Sequence, residues 1–503
     1  MSPSTLAAIL CIFLTLIYSF HRWRNGRKLP PGPRGLPIIG NLHMMGKLPH
    51  RTLTDLAKTY GPIMSLNLGN VPSIVVSSPK AAELFLKTHD TVFASRPKTQ
   101  VAALMTDGKG IAFTEYGPYW RNARKLCTLQ LLSALKVESF GPMRRREVGL
   151  MVESLKEAAE EKKVVNISRK VGELMENMTY KMVLGRDKDD RFDLKGLVHE
   201  IMILIGTVNI ADFMPALAPF DLQGLSRKVK AINKIVDEVF NKIIDEHEQN
   251  RSKDMKKQDM DFVDMMLSLA EEQAKTTNMN LQTEHAYKID RTNIKALLLD
   301  MIAGAFDTST TTIEWTLSEL LRHPKIMMHV QEELDNVVGK ERMVEETDLS
   351  KLNYLDMVIK ESFRLHPVAS LILHESMEEI TIQGYYIPRK ARILVNLWAM
   401  GRDPEVWSDV EEFKPERFVG EDDVDIRGHN FKLIPFGAGR RGCPGIQLGL
   451  TSVRLIVARL VHCFNWELPF GMGPNELDMN EQFGLTLPRA KHLIANPTYR
   501  LLC

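Results

Sequence analysis

The residue best placed to do chemistry is Cys443, within Phe436-Gly437-Ala438-Gly439-Arg440-Arg441-Gly442-Cys443-Pro444-Gly445. Four glycines among these ten residues permit a tight loop with backbone amides turned inward. Proline is favoured at the first helical position, so Pro444 is expected to open a helix through Ile446, Leu448, Leu450, Val453 and Val457. Cys443 then lies at a helix N-terminus. The partial positive charge there, with Arg440 and Arg441 beside it, favours thiolate over thiol. A thiolate can ligate a metal or attack an electrophile. A lone cysteine is ordinarily an inert core residue, but this surrounding is too specialised for that. A nucleophile needs a positioned histidine base, and no motif supplies one.

A second candidate is Ala303-Gly304-Ala305-Phe306-Asp307-Thr308-Ser309-Thr310-Thr311-Thr312, inside an apolar helical pattern from Ile294 to Leu321. Threonines clustered in mid-helix run against propensity and need a reason, either local back-bonding or function. Glu361 and Arg364, three apart on another helical stretch, share a face. As an exposed pair they contribute little. Trp120 and Arg124, four apart, share a face too.

The cysteine loop resembles the haem-binding signature of the cytochrome P450 family, with Phe436, Gly439, Arg441, Cys443 and Gly445 at its fixed positions. The resemblance implies haem b as cofactor, with Cys443 as axial ligand to the iron, its thiolate pushing electron density toward the metal. It implies that Phe436 shields the sulfur and that Arg441 pairs with a haem propionate. It places Trp120 and Arg124 at the propionates, with His374 as a further contact. The threonine-rich helix is similar to the family's oxygen-activation segment, in which Asp307 and Thr308 relay protons. Gly304 and Ala305 let the helix lie close to the haem face. Ala305 stands where the family usually has glycine, which implies a narrower oxygen groove. Glu361 and Arg364 become a buried pair completed by Arg417 of Pro415-Glu416-Arg417-Phe418, a structural network. Among plant microsomal members used in specialised metabolism, the chain is similar to a branch with biphenyl and sesquiterpenoid hydroxylases.

The elements that position these residues are mainly helical. Val229 to Glu248 joins Ile294 to Leu321 as a long amphipathic stretch. A strand pair, Ile63 to Leu68 and Ser73 to Ser77, flanks the turn Gly69-Asn70, and a second β patch covers 380–382, 385–387 and 393–395. The expected fold is therefore mainly α, a large helical domain with a small β-rich portion.

The chain of 503 residues divides into three. Residues 1–21 read as a transmembrane anchor, because Met1 to Phe20 carries no charged side chain and about 20 apolar residues suffice to cross a bilayer. His21, Arg22, Arg24, Arg27 and Lys28 follow at once, so the body stays cytosolic. A cleaved signal peptide would carry its charges first and end at a small-residue site. Residues 22–36 form a basic, proline-rich hinge read as a stiff spacer, and residues 37–503 the haem-thiolate monooxygenase domain. Residues 251–261 are dense in charge and read as a solvated linker. Phe213 to Phe220 is either a buried connector or a second dip into the membrane.

A net charge of +2 gives no case for nucleic acid. Five cysteines without a CxxC argue against a disulfide framework or zinc ribbon. The expected activity is hydroxylation of a small lipophilic plant metabolite (terpenoid, phenylpropanoid or biphenyl) at the endoplasmic reticulum membrane. O2 is the oxidant, and electrons come from NADPH through NADPH-cytochrome P450 reductase. By analogy the pocket is lined from residues 96–119, 201–210, 297–308, 368–373 and 483–487. A haem-thiolate isomerase or dehydratase, or a non-catalytic membrane haem- or lipid-binding protein, are the alternatives. Asp307 and Thr308 together argue against both.

Overall fold

The computed structural model describes residues 28–187, 194–250, 259–279, 289–420 and 424–502. The expected anchor at 1–21 and the first part of the hinge, 22–27, lie outside the described residues. The rest of the hinge does not stand free. Ser65 donates its backbone N–H to the Pro31 carbonyl at 2.9 Å and its hydroxyl to that of Pro30 at 2.6 Å, so the prolines lie along a strand.

That strand is β1 (Ile63–Leu68), which turns through Gly69-Asn70 into β2 (Val71–Val76) with Leu68 opposite Val71. A short β3 (Val165–Asn166) belongs to another sheet. The other strands are β4 (Leu371–Glu375), β5 (Ile380–Ile382), β6 (Tyr385–Ile387), β7 (Arg392–Asn396), β8 (Phe464–Glu467) and β9 (Ile494–Tyr499). The main sheet has the order β1-β2-β7-β4, with β2 and β7 parallel and the other pairs antiparallel. Pairing residues more than 300 positions apart, it brings an early stretch of the chain against a late one.

The helices that surround the site are α1 (Pro118–Leu126), α2 (Ile167–Leu184), α3 (Leu194–Gly206), α4 (Leu225–Asn250), α5 (Arg291–Arg322), α6 (Asn353–Leu365) and α7 (Ile446–Cys463). α5 starts because the Asp290 carboxylate accepts the Asn293 N–H at 2.8 Å, and stops where Pro324 cannot continue it. Much of it is buried, and it packs against α2, α6 and α7. Among the described residues α7 is the one helix long and apolar enough to cross a membrane, and most of it is buried inside the protein. It is a core helix.

Two expectations change. Residues 251–258 lie outside the described residues, but Asp261 at the end of the expected solvated linker is buried and accepts from His247 Nε2 at 2.9 Å. No residue from Phe213 to Phe220 is buried, which removes the buried-connector reading.

Candidate active site

The cysteine loop closes on itself. Cys443 donates its N–H to the Phe436 carbonyl at 2.8 Å, and Gly442 donates to Gly439 at 3.1 Å. Gly439 has φ of +67°, and a side chain there would meet the Leu86 carbonyl and the Asp90 carboxylate, so only glycine fits. α7 begins at Ile446 rather than Pro444. Gly445 caps it and accepts the Gly449 N–H at 2.8 Å, so the Cys443-Pro444-Gly445 stretch precedes the helix. The Phe436 ring meets Phe363 of α6 edge-on at 5.4 Å, which locks the loop to that helix.

The expected stabilisation of thiolate is overturned for the protein alone. Burial pushes the Cys443 thiol up, and the Gly445 N–H and the Arg124 guanidinium pull down without prevailing. The two arginines expected beside it look elsewhere. Arg440 turns outward to Asp90 at 2.6 Å. Arg441 turns inward and donates to the carbonyls of Ala94 at 2.5 Å, Thr114 at 2.6 Å and Ile111 at 3.2 Å.

Arg441 is one of three guanidiniums gathered here. Burial and the neighbouring Arg96 and Arg124 push it down to about 9. Burial lowers Arg96 to about 10, and Arg96 donates to the Leu373 carbonyl. Burial lowers Arg124 as well, and it donates to the Gly442 carbonyl at 2.5 Å. Among the described residues no carboxylate offsets any of the three. His374, buried beside Arg96 and Arg441, hydrogen-bonds the Phe93 carbonyl through Nδ1 at 2.8 Å. Burial first, then those arginines, hold it well below its usual value. Sequence reasoning found Arg124, His374 and Arg441 but gave Arg96 no role of its own. Trp120 sends its indole N–H to the Ile111 carbonyl at 2.9 Å, and its ring lies under the Arg441 guanidinium at 4.1 Å, so it stands beside one of the three cations.

In α5 the threonine cluster is back-bonded. Thr308, Thr310 and Thr312 return their hydroxyls to the carbonyls four residues earlier at 2.8, 2.8 and 2.9 Å. Gly304 is exposed within this largely buried helix, and a Cβ there would meet nothing within 4 Å. The helix face carrying Gly304, Asp307 and Thr308 therefore borders open space. Glu361 and Arg364 are buried rather than a surface pair. Arg364 forks onto the Glu361 carboxylate at 2.7 and 2.8 Å, and Arg417 Nε reaches it at 2.9 Å. Arg364 also donates to the carbonyls of Gly401 and Val410, both at 2.7 Å.

The segments expected to line the pocket are tied to one another. Leu487 donates to the Val368 carbonyl at 2.8 Å, and Asn209 to the Gln100 side chain at 3.0 Å.

A sulfur on a preformed loop, next to cations that no carboxylate among the described residues balances, suits an acidic, metal-centred planar cofactor. The class so defined is a haem-thiolate oxidoreductase. The family model for Cytochrome P450 matches residues 30–494. Cytochrome P450 CYP736A12 of Panax ginseng is 59% identical over 481 residues, covering 95% of each chain. Flavonoid 3'-monooxygenase of Arabidopsis thaliana is 44% identical over 508 residues, covering 99% of this chain and 96% of its own. The 3,9-dihydroxypterocarpan 6A-monooxygenase of Glycine max is 38% identical, with 98% of each chain covered. The chain belongs to the cytochrome P450 family. It is a haem-thiolate monooxygenase, using O2, an electron-donating partner and a lipophilic substrate, and the family binds haem b through a cysteine thiolate. The residues here fit that group: the unbalanced cations suit its propionates, and the open face at Gly304 leaves room for a flat ring. A coordinated metal deprotonates a thiol outright, which would overcome the burial that disfavours thiolate at Cys443.

Proposed function

We propose that this enzyme hydroxylates a small lipophilic plant specialised metabolite of terpenoid, phenylpropanoid or biphenyl type, with Cys443 as the axial ligand. When bound, the haem supplies the activation of oxygen and its insertion into a C–H bond. The chain supplies the rest. Arg96, Arg124, Arg441 and His374 hold the propionates. Phe436 covers the sulfur, and the Gly445 N–H donates to it. Asp307 and Thr308 move protons at the face of α5. Apolar side chains that keep some exposure in the expected lining segments, such as Leu104, Val368 and Leu373, exclude water and favour an apolar guest. The observation that carries the reading is the gathering of three guanidiniums beside the loop that presents Cys443, Arg441 buried and Arg96 and Arg124 half-buried, with no carboxylate among the described residues to offset them. The flavonoid and pterocarpan monooxygenases among the relatives support an aromatic substrate.

Electrons come from NADPH-cytochrome P450 reductase at the endoplasmic reticulum membrane, which residues 1–21 cross once. An apolar surface supports a second membrane contact. Ile203, Val208, Phe220 and Leu222 are each at least half exposed, as are Leu36 and Ile38. The two groups flank one turn, because Gly69 donates to the Ile39 carbonyl at 3.1 Å and Asn70 to that of Phe213 at 2.9 Å.

The test has two stages. A reduced carbon monoxide difference spectrum is expected to show the thiolate-type band in the wild type and to lose it in Cys443→Ser. Microsomes carrying the enzyme and a plant reductase, fed terpenoid, phenylpropanoid and biphenyl panels, are expected to form hydroxylated product only with NADPH. Product without NADPH would move the reading to an isomerase or dehydratase.

A further inference from the structure

We propose that Asp300 is a positioning residue that ties the loop 109–114 across α5 and so fixes the wall against which substrate lies. The inference rests on the monooxygenase class and concerns how the pocket is shaped. Asp300 Oδ2 accepts the backbone N–H of Ile111 at 2.5 Å and that of Ala112 at 3.2 Å. These are charge-assisted bonds to a segment with little regular structure of its own. Asp107, Gly108 and Gly110 have φ of 49°, 68° and 84°, so the backbone doubles back in left-handed steps. At Gly110 two constraints coincide: the positive φ, and a Cβ that would lie 2.5 Å from Asp300 Oδ2. The loop and the carboxylate are built to touch.

The other side of the same loop faces the cysteine region. The Ile111 carbonyl accepts Trp120 Nε1 at 2.9 Å and Arg441 Nη1 at 3.2 Å, and the Thr114 carbonyl accepts Arg441 Nη2 at 2.6 Å. The loop is thus clamped by its amides to α5 and by its carbonyls to the residue two before Cys443. Asp300 lies seven residues before Asp307, which puts both on one face of α5, about 10 Å apart along its axis. That is the face bordering open space at Gly304. Asp300 keeps some accessible surface of its own. The clamp therefore sits about two turns along the helix from the proton-relay segment, where a small displacement alters the presentation of a substrate.

The carboxylate also titrates unusually. Burial pushes Asp300 up to about 6, the Ile111 and Ala112 N–H groups only partly opposing it. A carboxyl raised in the folded state stabilises only at low pH, and that contribution is lost as pH rises through about 6.

The experiment uses purified holoenzyme with two iron-binding probes, imidazole and 4-phenylimidazole, and limited trypsin digestion at Lys109. In Asp300→Ala the thiolate-type carbon monoxide band is expected to persist and imidazole affinity to stay within about twofold. The 4-phenylimidazole affinity is expected to fall about tenfold, as the wall behind its ring loosens. Cleavage after Lys109 is expected to speed about tenfold as the loop opens locally. Asp300→Asn, which keeps an acceptor oxygen, is expected to recover most of both effects, and Gly110→Ala to reproduce the alanine phenotype from the loop side. Wild-type behaviour of Asp300→Ala on both probes and on trypsin overturns the proposal. So does an equal loss for both imidazoles with loss of the band, the mark of a general structural role. Should Asp300→Ala fail to fold, wild-type behaviour of Gly110→Ala on the same readouts overturns it.

Discussion

Arg124 Nη2 donates to the Gly442 carbonyl at 2.5 Å, joining α1 to the residue immediately before Cys443 across more than 300 positions of chain. The bond restrains the cysteine loop from the side on which Arg124 also acts electrostatically on the sulfur.

Arg124→Ala is therefore expected to weaken haem retention more than overall folding. A hydrogen bond from a charged donor contributes about 1.5–3 kcal/mol, so haem release should accelerate on the order of tenfold or more. Transfer of haem to apomyoglobin measures the rate. An unchanged rate contradicts the assignment.

Glu361 is held by two guanidiniums and by the Lys414 N–H at 2.8 Å. Glu361→Ala leaves Arg364 and Arg417 without the carboxylate that compensates them. The expected loss is about 3–5 kcal/mol, seen as a lower denaturation midpoint and a smaller yield of carbon monoxide-competent protein.

Thr308→Ala and Asp307→Asn are expected to leave the carbon monoxide band intact and lower product formed per NADPH consumed. General acid–base assistance contributes about 10²-fold or more, so most of the reducing equivalents should appear as peroxide or water. Thr308→Ser retains the hydroxyl and should restore coupling. Parallel measurement of NADPH, peroxide and product decides.

The acid response should involve Glu481. Burial pushes its carboxyl up, but His50 at 2.8 Å and Arg51 at 2.5 Å outweigh that and hold it at about 2. Because the folded value lies below the ordinary one, the stabilisation is complete above the ordinary carboxyl range and disappears as pH falls toward 2. It amounts to about 3 kcal/mol at most. Glu481→Gln is expected to be less stable at neutral pH and to lose less on acidification, in denaturant titrations at pH 7 and pH 4.

What could be read from the sequence follows the range of the interactions. The cysteine loop was legible because four glycines around one cysteine form a local pattern, and the long helices because their periodicity is local too. Glu361 and Arg364 announced a shared face by their spacing, yet their burial depends on carbonyls of Gly401 and Val410. The role of Arg96 left no local trace, since its partner is the Leu373 carbonyl on β4. Nor could spacing reveal that the Trp120 indole serves the Ile111 carbonyl. The start of α7 slipped by two residues because Gly445 outcompetes Pro444 as the boundary.

The cation cradle draws Arg96, Arg124, His374 and Arg441 from separated stretches of chain. During synthesis Arg96 emerges roughly 350 residues before Cys443, an interval of about 20–70 seconds at ordinary translation rates. Until the last of these stretches is made, the early arginines have neither their final backbone partners nor an anion to hold. On the proposed assignment, acquisition of the cofactor is confined to the close of translation or afterwards, when the nascent polypeptide is nearly whole.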